Sequence, residues 1–281
     1  MKVNEIITEK FIEALNKGVC PWQKPWKVFD LCNGVSKKNY RGINQFLLRM
    51  LSSDDFFFTF NQIKELGGRI KKGAKSHMVV YYKLLKTERD NETKTFPMMR
   101  FYKVFGLSDI EGMKWKQPEV KKLEFSPVEE AEKLINKCII QIKHGGSRAC
   151  YYPQEHKIDL PPKENFTSVE EYYSTAFHEI GHAMHKATND DIKNGFGTQN
   201  YSKEELTAEI FASLCLNFCG IDSEKCFNNS ASYLSSWLQV LKKDMNFIIS
   251  ASSKAQKRFD AFIGKKESEE IPEQEEEVVT A

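Results

Sequence analysis

The sequence predicts an α+β protein of two domains, a basic α/β domain followed by a mainly helical one. The chain has 281 residues, enough for two cores of modest size. Residues 1–116 carry 22 Lys and Arg against 12 Asp and Glu, a net charge of +10, and the remainder carries 19 against 27, a net charge of −8. Residues 113–127 hold two prolines and little hydrophobic periodicity, which indicates a linker. The predicted ranges are 1–113 for the first domain, 114–127 for the linker, 128–264 for the second domain and 265–281 for an acidic tail.

Composition narrows the class of protein further. Hydrophobic residues make up 41% of the chain and aromatic residues 12%, far too much for a chain that is disordered throughout. No run of about 18 apolar residues is present, so no membrane span is predicted. The N-terminus is amphipathic and lacks an apolar signal core. The seven cysteines form no CxxC pair, and we interpret them as reduced thiols. These features together predict a cytoplasmic protein.

The first domain is predicted to mix helices with a β-hairpin. Predicted helices span 3–16 and a short stretch after Thr59, and 39–51 is predicted to be a turn that leads into a helix. Predicted strands span 78–86 and 96–107. Thr59 and Gln62 form a capping-box pattern, and Gly67-Gly68 ends the short helix. The two strands are rich in β-branched and aromatic residues and flank a polar loop at Asp90-Asn91, which is typical of a hairpin.

The second domain is predicted to be mainly helical. Predicted helices span 127–143, 168–188, 203–219 and 230–263, and short strands are predicted around 148–152 and 156–160. For the helix at 168–188, Thr167 or Ser168 is a candidate cap, with Glu170 or Glu171 at the matching third position. Apolar residues recur along this helix at helical spacing, so one of its faces is predicted to be buried.

Residues 178–182 read His-Glu-Ile-Gly-His, which is the HExxH pattern. Residues four apart lie one above the other on a helix, so the imidazoles of His178 and His182 point to the same place. This geometry suits Zn²⁺, and Glu179 between them can take a proton from water at the metal. The alternative is an exposed amphipathic helix whose histidines bind nothing. We favour the metal site, with one Zn²⁺ per chain.

A zinc site of this kind needs a third protein ligand, and the predicted helix at 203–219 offers two. Glu205 and Glu209 lie four apart on one face of that helix. We favour Glu205 as the ligand and Glu209 as an acceptor for the outer N–H of a ligand imidazole. Alternatively, Ser202 and Glu205 form a capping box, in which case Glu205 only stabilises the start of the helix. His185 lies two turns beyond His178, where a packed or solvated role is favoured over contact with substrate.

The first domain has the residue types that single-stranded nucleic acid needs, a cationic track and aromatic faces on which bases stack. The candidate residues are Trp22, Trp26, Lys38, Tyr40, Arg41, Asn44, Arg69, Lys71, Lys72 and Lys75. Each has a structural alternative: the two tryptophans can fasten the first helix to the sheet, and Lys71-Lys72 can be a solvated turn. The net charge of the domain is a stronger indication of phosphate contact than any single residue.

These motifs resemble those of the ArdC-type antirestriction proteins of mobile elements. In the first domain the resemblance runs through KFIEALNKGVCPWQKPW, NYRGIN, TFNQIKELGGRIKKGAK and FYKVFGLSDIEG. In the second it runs through GGSRACYYPQEHKIDLPP, YYSTAFHEIGHAMH, YSKEELTAEIFASLCLNFCGI and SYLSSWLQVLKKD. The chain departs from the family at Ala183-Met184-His185, where relatives often carry Trp-Thr-Gly, and in its acidic tail.

The resemblance implies a single-stranded-DNA-binding domain and a zincin-like metallopeptidase domain in a bacterial cytoplasmic protein. It also favours Glu205 over Glu209 as the third ligand, because Glu205-Leu-Thr-Ala-Glu-Ile-Phe-Ala resembles the ExxAxxFA signature of small bacterial peptidases. The expected partners are single-stranded DNA and an unidentified protein or peptide substrate. Two alternatives remain: a DNA-coating protein with a structural or vestigial peptidase domain, and a peptidase whose basic domain recruits a protein.

Overall fold

A computed structural model describes the chain as two compact units that both contain helices and a sheet. The described residues are 2–17, 31–89, 92–117, 127–145, 147–188, 199–222 and 231–265. The first unit holds residues 2–7 and 31–117, and the second holds 8–17 and the described residues from 127 to 265. The prediction of an α+β chain of two domains is confirmed. Among the described residues, no helix combines the length and apolar character that crossing a bilayer requires.

The first unit is built on a four-stranded sheet. Its elements are α1 (Val3–Asn16, shared with the second unit), β1 (Cys32–Asn33), α2 (Ile43–Leu51), β2 (Phe56–Thr59), α3 (Phe60–Glu65), β3 (Arg69–Ile70), β4 (His77–Arg89), β5 (Glu92–Gly106) and β6 (Ile110–Glu111). The sheet order is β1-β2-β5-β4, with β1 parallel to β2 and the other pairs antiparallel, while β3 and β6 form a separate two-stranded ladder. The predicted hairpin is therefore confirmed as β4 and β5.

The core of the first unit lies between α2 and this sheet. Phe46 and Leu47 on α2 are fully buried, as are Phe57 and Phe58 on β2. The capping box that the sequence predicts at the start of α3 is confirmed: the Thr59 hydroxyl accepts from the N–H of Gln62, and the Gln62 side chain accepts from the N–H of Thr59. Local sequence chemistry thus sets the turn from β2 into α3.

In the described part of the second unit, four helices surround a central helix, and a three-stranded sheet lies beside them. Its elements are α4 (Pro127–Asn136), β7 (Gln141–His144), β8 (Cys150–Tyr152), β9 (Lys157–Leu160), α5 (Val169–Ala183), α6 (Gln199–Cys219), α7 (Ala231–Lys243) and α8 (Phe247–Ile263). The sheet order is β7-β9-β8, so β8 is an edge strand, and α5 packs against both β8 and β9. Helix α6 contacts α4, α5, α7 and α8 and is apolar on most sides, as a buried helix must be.

The prediction of one helix over 127–143 is wrong in its second half. Helix α4 ends at Asn136, and residues 141–144 form β7, which pairs in parallel with β9. Asn136 is a poor helix former, and the N–H groups of Lys137 and Cys138 close tight turns on α4 carbonyls. Pairing with a strand 16 residues further along the chain then decides the conformation of 141–144, and local periodicity does not reveal it.

The prediction of one helix over 230–263 is also wrong, because α7 and α8 are separate. The Asp244 carboxylate accepts from the N–H of Asn246 at 3.0 Å, a local bond that competes with the helical pattern. The N–H of Phe247 then bonds to the carbonyl of Asp244 and starts the next helix. The break allows α8 to follow its own path along α6.

Several predictions fall on residues that the structure does not describe. Trp22, Trp26 and most of the linker lie outside the described residues, and so does the acidic tail after Lys265. The predicted first domain, 1–113, includes the whole of α1, whereas the structure groups residues 8–17 with the second unit.

Candidate metal centre

Helix α5 carries the HExxH residues and begins as the sequence predicts. The Ser168 hydroxyl accepts from the N–H of Glu171 at 3.1 Å, which makes Ser168 the N-cap. The Glu171 carboxylate in turn accepts from both the N–H and the hydroxyl of Thr167. With its start fixed in this way, α5 places His178 and His182 one turn apart on the face directed at α6.

The structure brings His178, His182 and Glu205 together. The two Nε2 atoms lie 3.0 Å apart, and the Glu205 carboxylate oxygens lie 3.5 Å from His178 Nε2 and 3.6 Å from His182 Nε2. Four ligands held tetrahedrally at zinc–ligand distances near 2.0 Å are separated by ~3.3 Å from one another. The three observed separations bracket this value, so the donor set fits a small divalent cation with one coordination position left for another molecule.

Glu179 lies beside this cluster and is held by the edge strand. Its Oε2 accepts a hydrogen bond of 2.7 Å from the backbone N–H of Tyr151 on β8. The Tyr151 hydroxyl bonds in turn to His156 Nδ1 at 2.9 Å, and its ring packs edge-on against His185. His185 Nδ1 lies 2.8 Å from the His182 carbonyl oxygen. Because a carbonyl only accepts, Nδ1 carries the proton and donates this hydrogen bond. His185 thus has the packed role that the sequence favours.

Two further glutamates of α6 face the outer nitrogens of the histidines. Glu204 Oε1 lies 3.2 Å from His182 Nδ1, and Glu209 Oε1 lies 3.6 Å from His178 Nδ1. Sequence reasoning places Glu209 next to a ligand imidazole but does not single out Glu204. Glu204 precedes Glu205 directly, and a carboxylate next to a candidate ligand is the one signal in the sequence that points to it.

The alternative explanation of Glu205 as part of a capping box is wrong. Helix α6 begins at Gln199, three residues before Ser202, so Ser202 and Glu205 both lie inside the helix. A capping box requires its first residue to be outside the helical hydrogen-bonding pattern. The position of Glu205 is therefore explained by the cluster and not by the start of the helix.

Burial and charge oppose each other in the cluster. Burial lowers the pKa of His178, but the hydrogen bond to Glu205 and the charges of Glu209 and Glu179 outweigh it and raise the pKa to about 9. Burial raises the pKa of Glu204, but His182 and the guanidinium of Arg258 outweigh it and lower the pKa to about 2. For Glu209, burial dominates and raises the pKa. The site thus concentrates negative charge that a proton on His178 or a bound cation neutralises.

Close approach of α5 and α6 is what allows Glu205 to reach the histidines. A Cβ atom on Gly181 would lie 2.9 Å from Phe211 Cδ1 and 3.1 Å from Ala208 Cα, so a larger residue there must push the helices apart. Gly181 is the fourth residue of HExxH, and Ala208 lies one turn after Glu205. Small residues at this crossing bring the backbones together.

The candidate DNA-binding residues of the first unit differ in their surroundings. Lys38, Lys72 and Lys75 are exposed, while Arg69 pairs with Glu111 at 2.8 Å and Lys71 Nζ donates to the Ser108 carbonyl at 2.6 Å. Tyr40 packs edge-on against Phe57, and Arg41 is half-buried. Phe60 is 59% exposed, whereas Phe56, Phe57 and Phe58 just before it are buried.

Asn44, another residue of the predicted DNA-binding set, is held between α2 and β4. Its side-chain amide donates to the carbonyl of Val80 at 2.7 Å and accepts from the N–H of Val80 at 2.8 Å. Both ends of the amide are thus used to join α2 to β4. This pairing indicates a structural role for Asn44, and its contact with nucleic acid stays a prediction.

Comparison with known proteins assigns a family domain to each half of the chain. Residues 1–105 match the N-terminal domain of the anti-restriction factor ArdC, and residues 129–254 match a zincin-like metallopeptidase domain. Two crystal structures of the antirestriction protein ArdC from plasmid R388, one metal-free and one Mn(II)-bound, are 28% identical to this chain. Each has a TM-score of 0.76 and covers 94% of this chain, which in turn covers 97% of the first and 98% of the second.

Curated sequences extend the comparison. Two DNA primases TraC of Escherichia coli are 31% and 32% identical over 96% and 92% of this chain, and the chain spans only 28% and 19% of their lengths. The uncharacterized protein y4eC of Sinorhizobium fredii is 29% identical over 92% of this chain and 90% of its own length. The similarity thus runs through both units, while the primases contain much that this chain does not.

Proposed function

The chain belongs to the ArdC-type antirestriction proteins, and we propose that it protects mobile-element DNA from restriction with two activities. In this proposal the first unit binds single-stranded DNA and the second unit is a metallopeptidase. The observation that carries the peptidase half is the cluster of His178, His182 and Glu205 with Glu179 beside it. In this proposal the protein acts in the bacterial cytoplasm.

In this proposal, the residues of the cluster have different roles in peptide hydrolysis. His178 and His182 would hold the metal through Nε2 and Glu205 through its carboxylate, and a bound divalent cation supplies polarisation of the substrate carbonyl and activation of water. Glu179 accepts the proton of the attacking water and returns it to the leaving amine. The N–H of Tyr151 holds the Glu179 carboxylate in place at 2.7 Å, which keeps one oxygen available for this transfer.

We propose Zn²⁺ as the resident metal, with one ion per chain. Two imidazoles and one carboxylate within 3.6 Å of each other are a donor set that zinc enzymes use. The R388 relative was crystallised with Mn(II), which generally prefers more oxygen ligands. Titration of the metal-free chain with Zn²⁺ and with Mn²⁺ tests this proposal, and tighter binding of Mn²⁺ at one equivalent would reject zinc.

The variant Glu179→Gln tests whether hydrolysis is needed for protection. Its amide keeps the size of the side chain but cannot take a proton, so protection of transferred DNA in a restricting host should be lost. Binding of Zn²⁺ and of DNA should be unchanged. Glu170→Gln on the same helix is the control. If Glu179→Gln protects as well as the native chain, the peptidase domain is structural and DNA coating alone explains protection.

Support for DNA binding comes from the charge and the exposed side chains of the first unit. Residues 1–116 carry a net charge of +10, and Lys38, Lys72 and Lys75 are exposed to solvent. The exposed ring of Phe60 offers a face on which a base can stack. A flexible single strand can meet scattered cations and aromatic rings at once, which a rigid duplex does less well.

A titration of labelled single-stranded and duplex oligonucleotides with the full chain, at two salt concentrations, tests this part. Each lysine that meets a phosphate contributes about 0.7 to the slope of log affinity against log salt. Lys72→Gln and Lys75→Gln should each reduce the slope by about this amount, and Lys257→Gln on α8 should leave it unchanged. Weak binding with no preference for single strands would instead favour a basic domain that recruits a protein.

A further inference from the structure

Arg258 is a fully buried arginine that joins three helices of the second unit. It lies on α8, and its Nη1 donates to Glu204 Oε1 on α6 at 2.6 Å while Nη2 donates to Glu204 Oε2 at 3.0 Å. Nη1 also donates to the carbonyl of Gly181 on α5 at 3.0 Å. The guanidinium therefore fixes α5 and α6 relative to α8 at the level of the metal cluster.

Each of these contacts gives a buried polar group a hydrogen-bond partner. Gly181 lies in the last turn of α5, where backbone carbonyls have no partner within the helix and favour a nearby positive charge. Glu204 is almost completely buried, and a buried carboxylate is tolerated only when it is paired and hydrogen-bonded. The fork of Arg258 meets both needs at once, with the bidentate geometry that lysine cannot offer.

Glu204, held by Arg258, in turn orients the imidazole of His182. Its Oε1, which Arg258 holds, lies 3.2 Å from His182 Nδ1. A carboxylate at this nitrogen keeps the proton on Nδ1 and leaves the lone pair of Nε2 directed at His178 and Glu205. An imidazole without this partner can rotate about its Cβ–Cγ bond or adopt the other tautomer, and in both cases it presents a poorer ligand.

We propose that Glu204 and Arg258 act as one positioning pair that sets the metal affinity of the second unit by fixing the orientation and tautomer of His182. The inference rests on the proposed metal site. It assigns to Glu204, and not to Glu209, the main carboxylate support of a ligand histidine, because the Glu204 contact is shorter and is itself held by a buried guanidinium.

The experiment is a competition titration of Zn²⁺ against a chelator, with native chain and variants in their full length. Glu204→Gln keeps the shape of the side chain but loses its charge, and it should raise the Kd for Zn²⁺ about 10–100-fold. Arg258→Lys should raise it about tenfold, because one ammonium cannot hold both carboxylate oxygens. The control is Lys203→Gln, at the residue that precedes Glu204 on α6. This variant breaks the ion pair between Lys203 and Asp244 and should change the Kd for Zn²⁺ less than twofold.

A second measurement separates positioning from general destabilisation. In the Co²⁺-loaded chain, each ligand imidazole has one exchangeable ring N–H whose resonance is shifted far from the diamagnetic region. Glu204→Gln should speed solvent exchange of the His182 proton and leave that of His178 unchanged. Should Arg258→Lys fail to fold, the double variant Glu204→Gln/Arg258→Met removes both charges together and should show the same loss of affinity in a folded protein.

The outcomes distinguish failure of this inference from failure of the metal site. A native chain that binds no Zn²⁺ overturns both. Native binding at one equivalent, with a Kd for Glu204→Gln within threefold of native, leaves the metal site standing and overturns the positioning pair. Equal acceleration of proton exchange at His178 and His182 also overturns it, because the variant would then have loosened the whole cluster.

Discussion

At the scale of single residues, three glutamates of α6 face the same two histidines in three different ways. Glu205 approaches both Nε2 atoms, while Glu204 and Glu209 approach one Nδ1 atom each. The difference follows from helical geometry: Glu205 and Glu209 share a face one turn apart, and Glu204 is rotated by about 100° to the side on which Arg258 lies. One helix thereby supplies both a candidate ligand and the groups that orient the other ligands.

Glu205→Gln should weaken Zn²⁺ binding far more than Glu209→Gln does. Removing one of four ligands from a site worth 10–16 kcal/mol costs roughly 3 kcal/mol, which is more than a hundredfold in Kd. Loss of an outer carboxylate costs at most about 10–100-fold, and the long 3.6 Å contact of Glu209 places it at the lower end. Calorimetric titration of both variants with Zn²⁺ measures this. A larger loss of Zn²⁺ affinity in Glu209→Gln than in Glu205→Gln would make Glu209 the metal ligand and Glu205 the outer carboxylate.

Asn44→Ala should reduce stability and leave DNA binding unchanged. The substitution leaves the N–H and the carbonyl of Val80 without the amide that pairs with both of them, at a cost of about 1–3 kcal/mol for each group that water does not reach. Denaturant unfolding measures the stability, and an oligonucleotide titration measures the affinity. Lys75→Gln is the matched control with the opposite pattern, native stability and weaker DNA binding. An Asn44→Ala chain of native stability that binds DNA poorly would instead support the predicted contact of Asn44 with nucleic acid.

At the scale of elements, the crossing of α5 and α6 brings the residues of the candidate metal centre together. Sequence patterns predict the HExxH helix and a cap at Thr167 or Ser168, of which the structure shows Ser168, because both features depend on residues within one or two turns. They also predict Glu205 as a ligand candidate. Arg258 lies 54 residues after Glu204, and no local pattern connects the two. The same reason explains why β7 was not predicted: its conformation depends on β9, and the sequence of 141–144 fits a helix as well.

Gly181→Ala should loosen this crossing. Alanine gains about 1 kcal/mol over glycine inside a helix, but its Cβ would lie 3.1 Å from Ala208 Cα, and forcing extra volume into a packed interface costs about 1–3 kcal/mol. We expect a net loss of up to about 2 kcal/mol in the metal-free chain and a weaker Zn²⁺ affinity, since α6 carries Glu205. Thermal unfolding and calorimetry measure the two effects. Val169→Ala, at an exposed position of α5, should alter neither, and a Gly181→Ala chain that is more stable than native would contradict the crossing argument.

At the scale of the whole molecule, the domain boundary predicted from the sequence differs from the division of the structure into two compact units. The basic segment 1–116 includes all of α1, yet residues 8–17 group with the second unit. Thr8 donates from its hydroxyl to the carbonyl of Met245 in the break between α7 and α8, and Phe11 is fully buried. A division of the chain near residue 116 therefore separates the second unit from residues 8–17, which group with it.

Phe11→Ala should consequently destabilise the second unit, which carries the candidate metal centre. Truncating a buried phenylalanine costs about 3–5 kcal/mol, and each kcal/mol lowers the Tm of a unit of this size by about 2–4 °C. Zn²⁺ at a hundredfold excess over its Kd stabilises the unit that binds it by about 2.7 kcal/mol, so the transition that rises with Zn²⁺ belongs to the second unit. Calorimetric scans of native and variant chains, with and without Zn²⁺, identify that transition. Phe11→Ala must lower the Zn²⁺-sensitive transition; if it lowers only a transition that Zn²⁺ does not move, the first helix serves the first unit instead.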